Sequence, residues 1–332
     1  MLEKVVVPLD GSVPAESALP HAAALATALG ARIDLLRVVE RNDGESPPVS
    51  ILSWRLRKEE AQRYLDQVCE RLTAHQATAR PILLDGSPPE RILHYARHED
   101  ADLLLFSSHG EKGISRWNMS SVARKLVLQA ETSLMVVPPQ DVVGARPPLQ
   151  AHYRRIMVPL DGARRSEVIL PLARALARHF GAELLLVHVL PPLALFPSLQ
   201  RRQRIVALAD DLEQLNEREA YRYLVDLQAR LPGASEVRLL KGARPAEALM
   251  EVEQEQQIDL VLLNAHGAAC APDRPYGRFV GDYLEHARTP VLVHQDLGRR
   301  ELSPVKAEEA APISSAWRAT RRAPALAGSK SG

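Results

Sequence analysis

The chain has 332 residues, of which 46% are hydrophobic and 25% are charged, and its formal net charge is +1. These ordinary globular values argue against disorder across the body of the chain, and the near-neutral charge argues against nucleic-acid and membrane partners. The two cysteines, Cys69 and Cys270, form neither a disulfide framework nor a metal-binding spacing. No targeting region and no apolar run long enough to span a bilayer is found, so we expect a cytoplasmic protein.

The first part of the chain alternates strand and helix patterns. Residues 5–7 form a short β-branched run typical of a buried parallel strand, and residues 15–29 have helical spacing that ends at Gly30, a common C-cap residue. The elements predicted after these lie, in order, at residues 33–39, 54–77, 81–84, 89–98, 102–106, 120–130 and 134–137. This alternation predicts an α/β unit, a doubly wound parallel sheet of five strands with helices on both faces.

The second part of the chain repeats the first. The segment KVVVPLDG at residues 4–11 returns as RIMVPLDG at residues 155–162, so Asp10 and Asp161 lie 151 positions apart. Later the offset becomes 157, which means that the second copy holds about six more residues between these points. A repeat of this length is the length of a domain and not of a solenoid unit.

The second copy is therefore predicted to follow the same plan. Its strands are expected at residues 156–160, 183–189, 236–240, 260–264 and 291–294, and its longest helix at 207–231. The predicted division of the chain is a first domain at 1–138, a proline-containing linker at 139–152, a second domain at 153–295, and a tail at 296–332 with a composition typical of disorder.

Small and acidic residues follow the predicted strands of the first copy. Asp10 follows the first strand, Val38 ends the second, and a loop that starts at Ser107 follows the fourth. In open sheets of this kind, ligands bind beyond the carboxyl ends of the strands where the winding reverses. A carboxylate there can accept hydrogen bonds from a ribose or an adenine amino group, and a loop of small residues entering a helix offers N–H groups to phosphates. The arrangement predicts a nucleotide site.

Several motifs make the chain resemble a tandem member of the universal stress protein family. They are the Val-Pro-Leu-Asp-Gly opening of each copy, the Ser-His-Gly and Ala-His-Gly loops, and the Thr-Pro-Val-Leu-Val ending at 289–293. The resemblance covers roughly residues 2–138 and 153–295 and implies a fold like that of the adenine nucleotide alpha hydrolases. The ATP-binding branch of the family has a Gly-x2-Gly-x9-Gly-Ser/Thr loop, so the resemblance implies ATP, with Mg²⁺ carried by the nucleotide.

The first copy departs mildly from that loop. It has Ser107 and Ser120 at two of the glycine positions and keeps Gly110. The serines are small and add hydroxyl groups, although each also adds a Cβ where the family pattern has none. We expect the favoured nucleotide site here. Its predicted residues are Pro8, Asp10, Val38, Ser107, His109, Gly110, Ser120, Ser121 and Val122.

The second copy departs further. Asn264 is larger than glycine, Arg278 replaces the Ser/Thr, and prolines at 272 and 275 stiffen the loop. The arginine either clamps a phosphate or fills the pocket. This copy is the less favoured site. Its predicted residues are Asp161, Val189, Asn264, Gly267, Gly277 and Arg278.

Each candidate residue also has a structural interpretation. Asp10 and Asp161 fit the cap of a turn or helix start, and Ser120 and Ser121 fit a helix N-cap. His109 and His266 have no evident acid/base partner in the sequence, so we predict neither metal binding nor catalysis there.

The resemblance also implies how the copies associate. Universal stress domains pair as dimers, and two of them in one chain have a raised effective concentration for each other, which implies an intramolecular pseudo-dimer. The predicted fifth strands, 134–137 and 291–294, are expected to meet, because apolar sheet edges invite pairing. A homodimer of two chains stays open.

Three kinds of function are compatible with the sequence. The first is a stress-response protein that binds or senses adenine nucleotide without fast turnover. The second is a structural or interaction module with decayed pockets that acts through protein partners. The third is an enzyme, for which the sequence offers no nucleophile–base pair or acidic metal cluster, although slow ATP hydrolysis stays open. We rank the first interpretation highest.

Overall fold

A computed structural model of the protein describes residues 2–40, 51–110, 119–139, 148–192, 203–231, 233–268 and 274–298. In the first copy the strands and helices alternate as predicted. They are β1 (Lys4–Pro8), α1 (Val13–Glu16), α2 (Ala18–Leu29), β2 (Arg32–Val39), α3 (Ile51–Ala74), β3 (Ala79–Asp85), α4 (Pro88–His98), β4 (Leu103–Ser107), α5 (Ser121–Gln129) and β5 (Ser133–Val137).

The second copy repeats this order, with a 3-10 turn at Ser166–Ile169 in place of a first short helix. Its other elements are β6 (Arg155–Pro159), α6 (Leu170–Phe180), β7 (Glu183–Leu190), α7 (Gln203–Arg230), β8 (Ser235–Lys241), α8 (Pro245–Glu255), β9 (Leu260–Asn264), α9 (Arg278–His286) and β10 (Val291–His294).

All ten strands join in one sheet, in the order β3-β2-β1-β4-β5-β10-β9-β6-β7-β8. Within each copy the neighbouring strands are parallel, and β5 pairs with β10 in the antiparallel sense. Two apolar cores, one on each face, run across both copies beneath the helices. The predicted α/β class, with helices on both faces of a mostly parallel sheet, is confirmed.

The seam between the copies is the β5–β10 pair, as predicted for the fifth strands. Met135 lies opposite Leu292, and Leu134 lies opposite Val293. The repeat offset of 157 relates Met135 to Leu292, so the pairing is symmetric about these two residues. Both strands are almost entirely buried, and each satisfies the backbone groups that the other would leave open at an edge.

The predicted first helix, 15–29, is divided in the structure into α1 and α2. Pro20 has no N–H to donate to the carbonyl of Glu16, so the helical hydrogen bonding is interrupted there. Ser12 caps α1, since its hydroxyl oxygen accepts from the N–H of Ala15 at 3.2 Å. The interruption places the chain after β1 so that Glu16 points inward and is buried.

The predicted linker and tail are only partly described. Residues 140–147 and 299–332 lie outside the described residues. Leu149 and Tyr153 are buried, so the end of the predicted linker packs against the body of the protein. Leu297 is also buried, and the ordered chain thus continues past residue 295. Within the described part of the chain, no helix combines the length and the apolar character needed to cross a membrane.

Candidate functional site

Each copy has one point where the winding of its sheet reverses, which we call its switch point. In the first copy β1 lies between β2 and β4, and in the second β6 lies between β7 and β9. The carboxyl ends of these strands carry Asp10 and Ser107 in one copy, and Asp161 and Asn264 in the other. The predicted candidate residues therefore do come to the crevice where ligands bind in such sheets.

Asp10 holds the turn that follows β1. Its Oδ1 accepts hydrogen bonds from the backbone N–H of Ser12 at 2.9 Å and from the Ser12 hydroxyl at 2.6 Å. Asp161 accepts in the same way from the N–H of Ala163 at 3.0 Å. Both aspartates thus have the turn-capping role that the sequence allowed, while the helix N-cap itself is Ser12.

The other carboxylate oxygen of each aspartate explains a glycine. A Cβ on Gly110 would overlap Asp10 Oδ2, and a Cβ on Gly267 would overlap Asp161 Oδ2. In the second copy the N–H of Ala268 donates to Asp161 Oδ2 at 2.6 Å. Glycine is therefore required at this position in both copies by the strand-end carboxylate, a reason that does not depend on a phosphate.

The loop after β4 is buried and internally bonded. The Ser107 hydroxyl oxygen accepts from the N–H of His109 at 3.3 Å, and Ser108 Oγ lies 2.9 Å from His109 Nδ1. All three side chains are buried. The Ser108 hydroxyl, which belongs to the Ser-His-Gly motif, thus orients the His109 ring.

The start of α5 faces the same loop. The N–H of Ser120 donates to the Ser108 carbonyl at 2.9 Å, and Ser120 Oγ accepts from the N–H of Ala123 at 3.2 Å. The N-cap interpretation of Ser120 is confirmed. The next two N–H groups, those of Ser121 and Val122, have no acceptor among the described residues. The helix start therefore offers two donors and the positive end of its dipole.

The end of β2 adds one side chain that the sequence analysis missed. Val38 is half-buried against the apolar core, as is Pro8 at the end of β1, and both flank the crevice. The guanidinium of Arg37 lies beside Gly11, with Nη1 3.1 Å from the place that a Cβ on this glycine would take. It also lies 5.1 Å from the ring centroid of Tyr64. A cation thus stands next to the turn after β1.

The second copy has different chemistry at the equivalent places. His188, 151 positions after Arg37, lies with Nδ1 2.6 Å from the Leu160 carbonyl and supplies no permanent cation. Val189, the counterpart of Val38, is half-buried. The amide nitrogen of Asn264 donates to the carbonyl of His266 at 2.8 Å.

The start of α9 has no side-chain cap, unlike the start of α5. Its N-cap is Gly277, which has no side chain to cap the helix, and the exposed Arg278 is the first helical residue. The N–H of Gly277 donates to the Ala265 carbonyl at 2.9 Å, which matches the Ser120 contact. The two helix starts therefore share this backbone hydrogen bond and differ in side chains.

His266 is fixed by two acceptors. Its Nδ1 lies 3.0 Å from Asp296 Oδ1 and its Nε2 lies 3.1 Å from the Arg274 carbonyl. Asp296 also forms an ion pair with Arg165, at 3.1 Å between Oδ2 and Nε. The expectation that His266 has no partner is wrong. The imidazole ties the loop before α9 to the chain after β10, and no signal in the sequence connects residues 30 positions apart.

Part of each loop lies outside the described residues, namely 111–118 in the first copy and 269–273, with Cys270 and the first of the two loop prolines, in the second. Among the described residues, no three metal-ligating side chains form a cluster. Over the ranges that the structure describes, the site of the first copy consists of the Asp10 carboxylate, Gly110 beside it, and the N–H groups at the start of α5.

Comparison with known proteins identifies related chains. The model of the Universal stress protein family matches residues 1–138 and 152–295. Universal stress protein Rv2005c of Mycobacterium tuberculosis is 24% identical over 304 residues, which span 87% of this chain and 96% of that protein. Universal stress protein MJ0531 of Methanocaldococcus jannaschii is 28% identical over 141 residues, 41% of this chain and 82% of its own length.

Solved structures agree on the fold. A universal stress protein from Archaeoglobus fulgidus superposes with a TM-score of 0.60 at 16% identity, over 88% of this chain and 98% of its own. A putative universal stress protein from Pseudomonas aeruginosa gives a TM-score of 0.60 at 15% identity, over 88% and 93%. Because the family model covers both copies and most of the chain, this protein belongs to the universal stress protein family.

Proposed function

We propose that the protein binds an adenine nucleotide, ATP, at the switch point of its first copy and acts as a stress-response sensor without fast turnover. One observation carries this proposal: the open N–H groups of Ser121 and Val122 at the start of α5, beside the buried loop after β4. Such a helix start favours an anion, because its donors converge and its dipole is positive there.

The phosphates would lie on this helix start. The two N–H groups donate to them, and the hydroxyl proton of Ser120 adds a third donor, since its oxygen already caps the helix. Hydrogen bonds to a charged acceptor each contribute roughly 1.5–3 kcal/mol. Arg37 supplies positive charge from the other side of Gly11. Mg²⁺ would come with the nucleotide, because it keeps most of its waters and binds mainly through phosphates.

The nucleoside would lie towards β1 and β2. Asp10 is exposed and accepts hydrogen bonds, so it suits a ribose hydroxyl. Val38 and Pro8 present half-buried apolar surface to an adenine ring. Turnover is expected to be slow, because the His109 ring is buried with its Nδ1 held by Ser108, so it is poorly placed to activate a water.

We also propose that the two copies work as an intramolecular pseudo-dimer in solution. The β5–β10 pairing leaves no open edge between them, so the association of copies does not need a second chain. A homodimer would use other surfaces, such as the outer edges at β3 and β8.

Titration calorimetry with Mg-ATP on two matched proline variants tests the nucleotide proposal. Proline is well tolerated as the first residue of a helix and removes its N–H. Ser121 and Arg278 are equivalent, both exposed, and each follows a residue with ψ near 155° that accepts a following proline. We expect Ser121→Pro to weaken binding about tenfold, a loss of about 1.4 kcal/mol, with melting unchanged. Arg278→Pro is the control and is expected to leave binding intact.

The opposite pattern, with loss only in Arg278→Pro, would place the nucleotide in the second copy and make its helix start the phosphate site. If the wild-type protein gives neither heat nor a thermal shift at millimolar Mg-ATP, the interaction-module interpretation takes first place.

A further inference from the structure

We infer that the seam between the two copies holds a second binding site, for a small uncharged ring molecule that carries both hydrogen-bond donors and acceptors. The site is a cavity of about 400 Å³. It lies between the start of α2, the end of β5, residues 148–153, and the turn that leads into β10. Both copies line it, so it exists only in the joined chain. Its volume is within the usual range of ligand pockets.

Rigid proline rings form part of the walls of this seam cavity. Five prolines from four segments line it. A pyrrolidine ring presents a flat apolar face and has no N–H left to satisfy, so such walls suit the faces of a planar ring. The proline positions are Pro20, Pro138, Pro139, Pro148 and Pro290.

His21 supplies a directed polar group. Its side chain lines the cavity, is only 6% exposed, and has Nδ1 2.8 Å from the hydroxyl of the buried Tyr153. With the phenol as donor, Nδ1 accepts and Nε2 carries the proton. No described residue accepts a hydrogen bond from Nε2. Burial lowers the pKa of His21 to about 4, so this donor is neutral at physiological pH.

The fixed charges of the cavity balance. Arg288 contributes one positive and Asp259 one negative charge. Asp259 Oδ2 already accepts from the backbone N–H groups of Arg154 at 2.6 Å and Arg155 at 3.0 Å, which leaves Oδ1 as an acceptor for a ligand. Gln150 adds both a donor and an acceptor. A ligand with a net charge gains little from this balance, whereas an uncharged molecule with a polar edge can use Asp259 Oδ1, Gln150 and the Nε2 proton of His21.

The other side of the seam is filled. There the Tyr276 hydroxyl donates to the Thr132 carbonyl, and the N–H of Gln295 donates to Ser133 Oγ at 3.1 Å. By the repeat, His21 corresponds to Leu172 and therefore has no polar counterpart. The seam cavity is thus a feature of one side and not a consequence of the pseudo-symmetry.

Ligand-observed NMR with benzamide on the full chain tests this inference, with benzoate and benzylammonium as charged analogues of equal size. We expect saturable benzamide binding with a Kd of about 1 mM, well within the efficiency ceiling for so small a molecule, and binding of both ions at least about threefold weaker. Gln150→Trp should abolish binding by filling the cavity from an exposed position, which leaves folding undisturbed. Asp10→Ala is the control, since it alters only the switch point, and should leave the benzamide Kd unchanged.

His21→Phe keeps the ring volume and removes the donor, so it should weaken benzamide binding at least about threefold. The inference fails if benzamide does not saturate by about 20 mM, if Gln150→Trp leaves the Kd unchanged, or if the three probes bind equally well. It also fails if Asp10→Ala abolishes benzamide binding, because the probe would then occupy the switch point. Mg-ATP binding does not enter any of these outcomes, so the two proposals stand or fall separately.

Discussion

In the first copy, the buried carboxylate of Glu16 links α1 to α3. Glu16 is 1% exposed, accepts from the Tyr64 hydroxyl at 3.1 Å, and pairs with Arg71 at 2.9 Å. Burial, followed by the charge of Glu16, raises the pKa of Tyr64. This three-residue cluster joins two helices on the same side as the switch point and stiffens the turn that Asp10 holds.

In the second copy the same three residue types recur, but only two of them interact. Burial, followed by the charge of Glu167, raises the pKa of Tyr223. Glu167 and Arg230 line an open groove of about 670 Å³, and over the described residues no ion pair joins the two charges. The 3-10 turn at Ser166–Ile169 replaces a capped α-helix here and leaves Glu167 half-exposed. Equal residues at repeat-related positions thus give different contacts, because the local backbone decides where a side chain points.

The two switch points also differ between the copies in their hydrogen bonds. In the first copy the N–H groups of Ser121 and Val122 have no acceptor among the described residues, and the Ser108 hydroxyl contacts the His109 ring. The second copy ties His266 to Asp296 and the Arg274 carbonyl. The loop of the second copy thus ties the chain after β10 to the body of that copy.

The largest expected effect comes from breaking the seam that joins the copies. Met135→Asp buries a charge at the centre of the β5–β10 pair, where no partner is available, and should lower the free energy of unfolding by about 4 kcal/mol. Leu128→Asp, on an exposed position of α5, is the control and should stay within about 0.5 kcal/mol. Urea denaturation of both variants measures the difference. Equal stabilities would mean that the seam contributes little to the fold.

The next largest effect is expected from the two repeat-related glutamates, Glu16 and Glu167. Glu16→Ala leaves Arg71 and Tyr64 without their shared acceptor and should cost about 3 kcal/mol, at the lower end for buried pairs because Arg71 is partly exposed. Glu167→Ala is the matched change in the second copy and should cost less than about 0.5 kcal/mol. Thermal melting of the two variants measures both losses of stability. Equal losses would contradict the contrast between the buried, paired Glu16 and the half-exposed Glu167.

The burial of His21, a residue of the first copy, predicts that the free energy of unfolding depends on pH. The pKa of His21 is lowered to about 4 by burial, so the unfolded chain binds more protons than the folded one between pH 6.5 and 4. Stability from this group is present above pH 6.5 and falls by up to about 3 kcal/mol as the pH drops to 4. The polar groups around it are Tyr153, His152, Asp259 and Arg288.

Replacing His21 by Phe removes this titration and should flatten the acid limb of the stability curve by the same amount. Urea midpoints measured at several pH values between 7 and 4 compare the variant with the wild type. An unchanged acid limb would show that the loss of stability arises at other groups.

Much of the architecture follows from the sequence because it depends on patterns that repeat. Alternating strand and helix periods, and the 151-residue offset of Asp10 and Asp161, predict the strands and their ends. The meeting of β5 with β10 is implied by the family resemblance and by the apolar character of the two strands. The hydrogen-bond partners do not follow. Asp296 reaches His266 across 30 residues, and Arg37 reaches Gly11 from a neighbouring strand, so both contacts depend on packing that no local pattern encodes.

The structure brings the predicted site residues to the carboxyl ends of the strands and adds a structural cause for some of them. Gly110 was assigned to the approach of a phosphate, whereas the Asp10 carboxylate already requires it. Ser120 is an N-cap and still has a hydroxyl proton to donate. The structural and the ligand-binding interpretations of these residues are therefore compatible, and only a bound ligand separates them.

Crystals grown with Mg-ATP test the central claim most directly, because both switch points are then observed in one experiment. The account predicts nucleotide density beside Asp10, with phosphates at the N–H groups of Ser121 and Val122, and none beside Asp161. Nucleotide beside Asp161 and Arg278 alone, or in neither crevice at millimolar Mg-ATP, would contradict it.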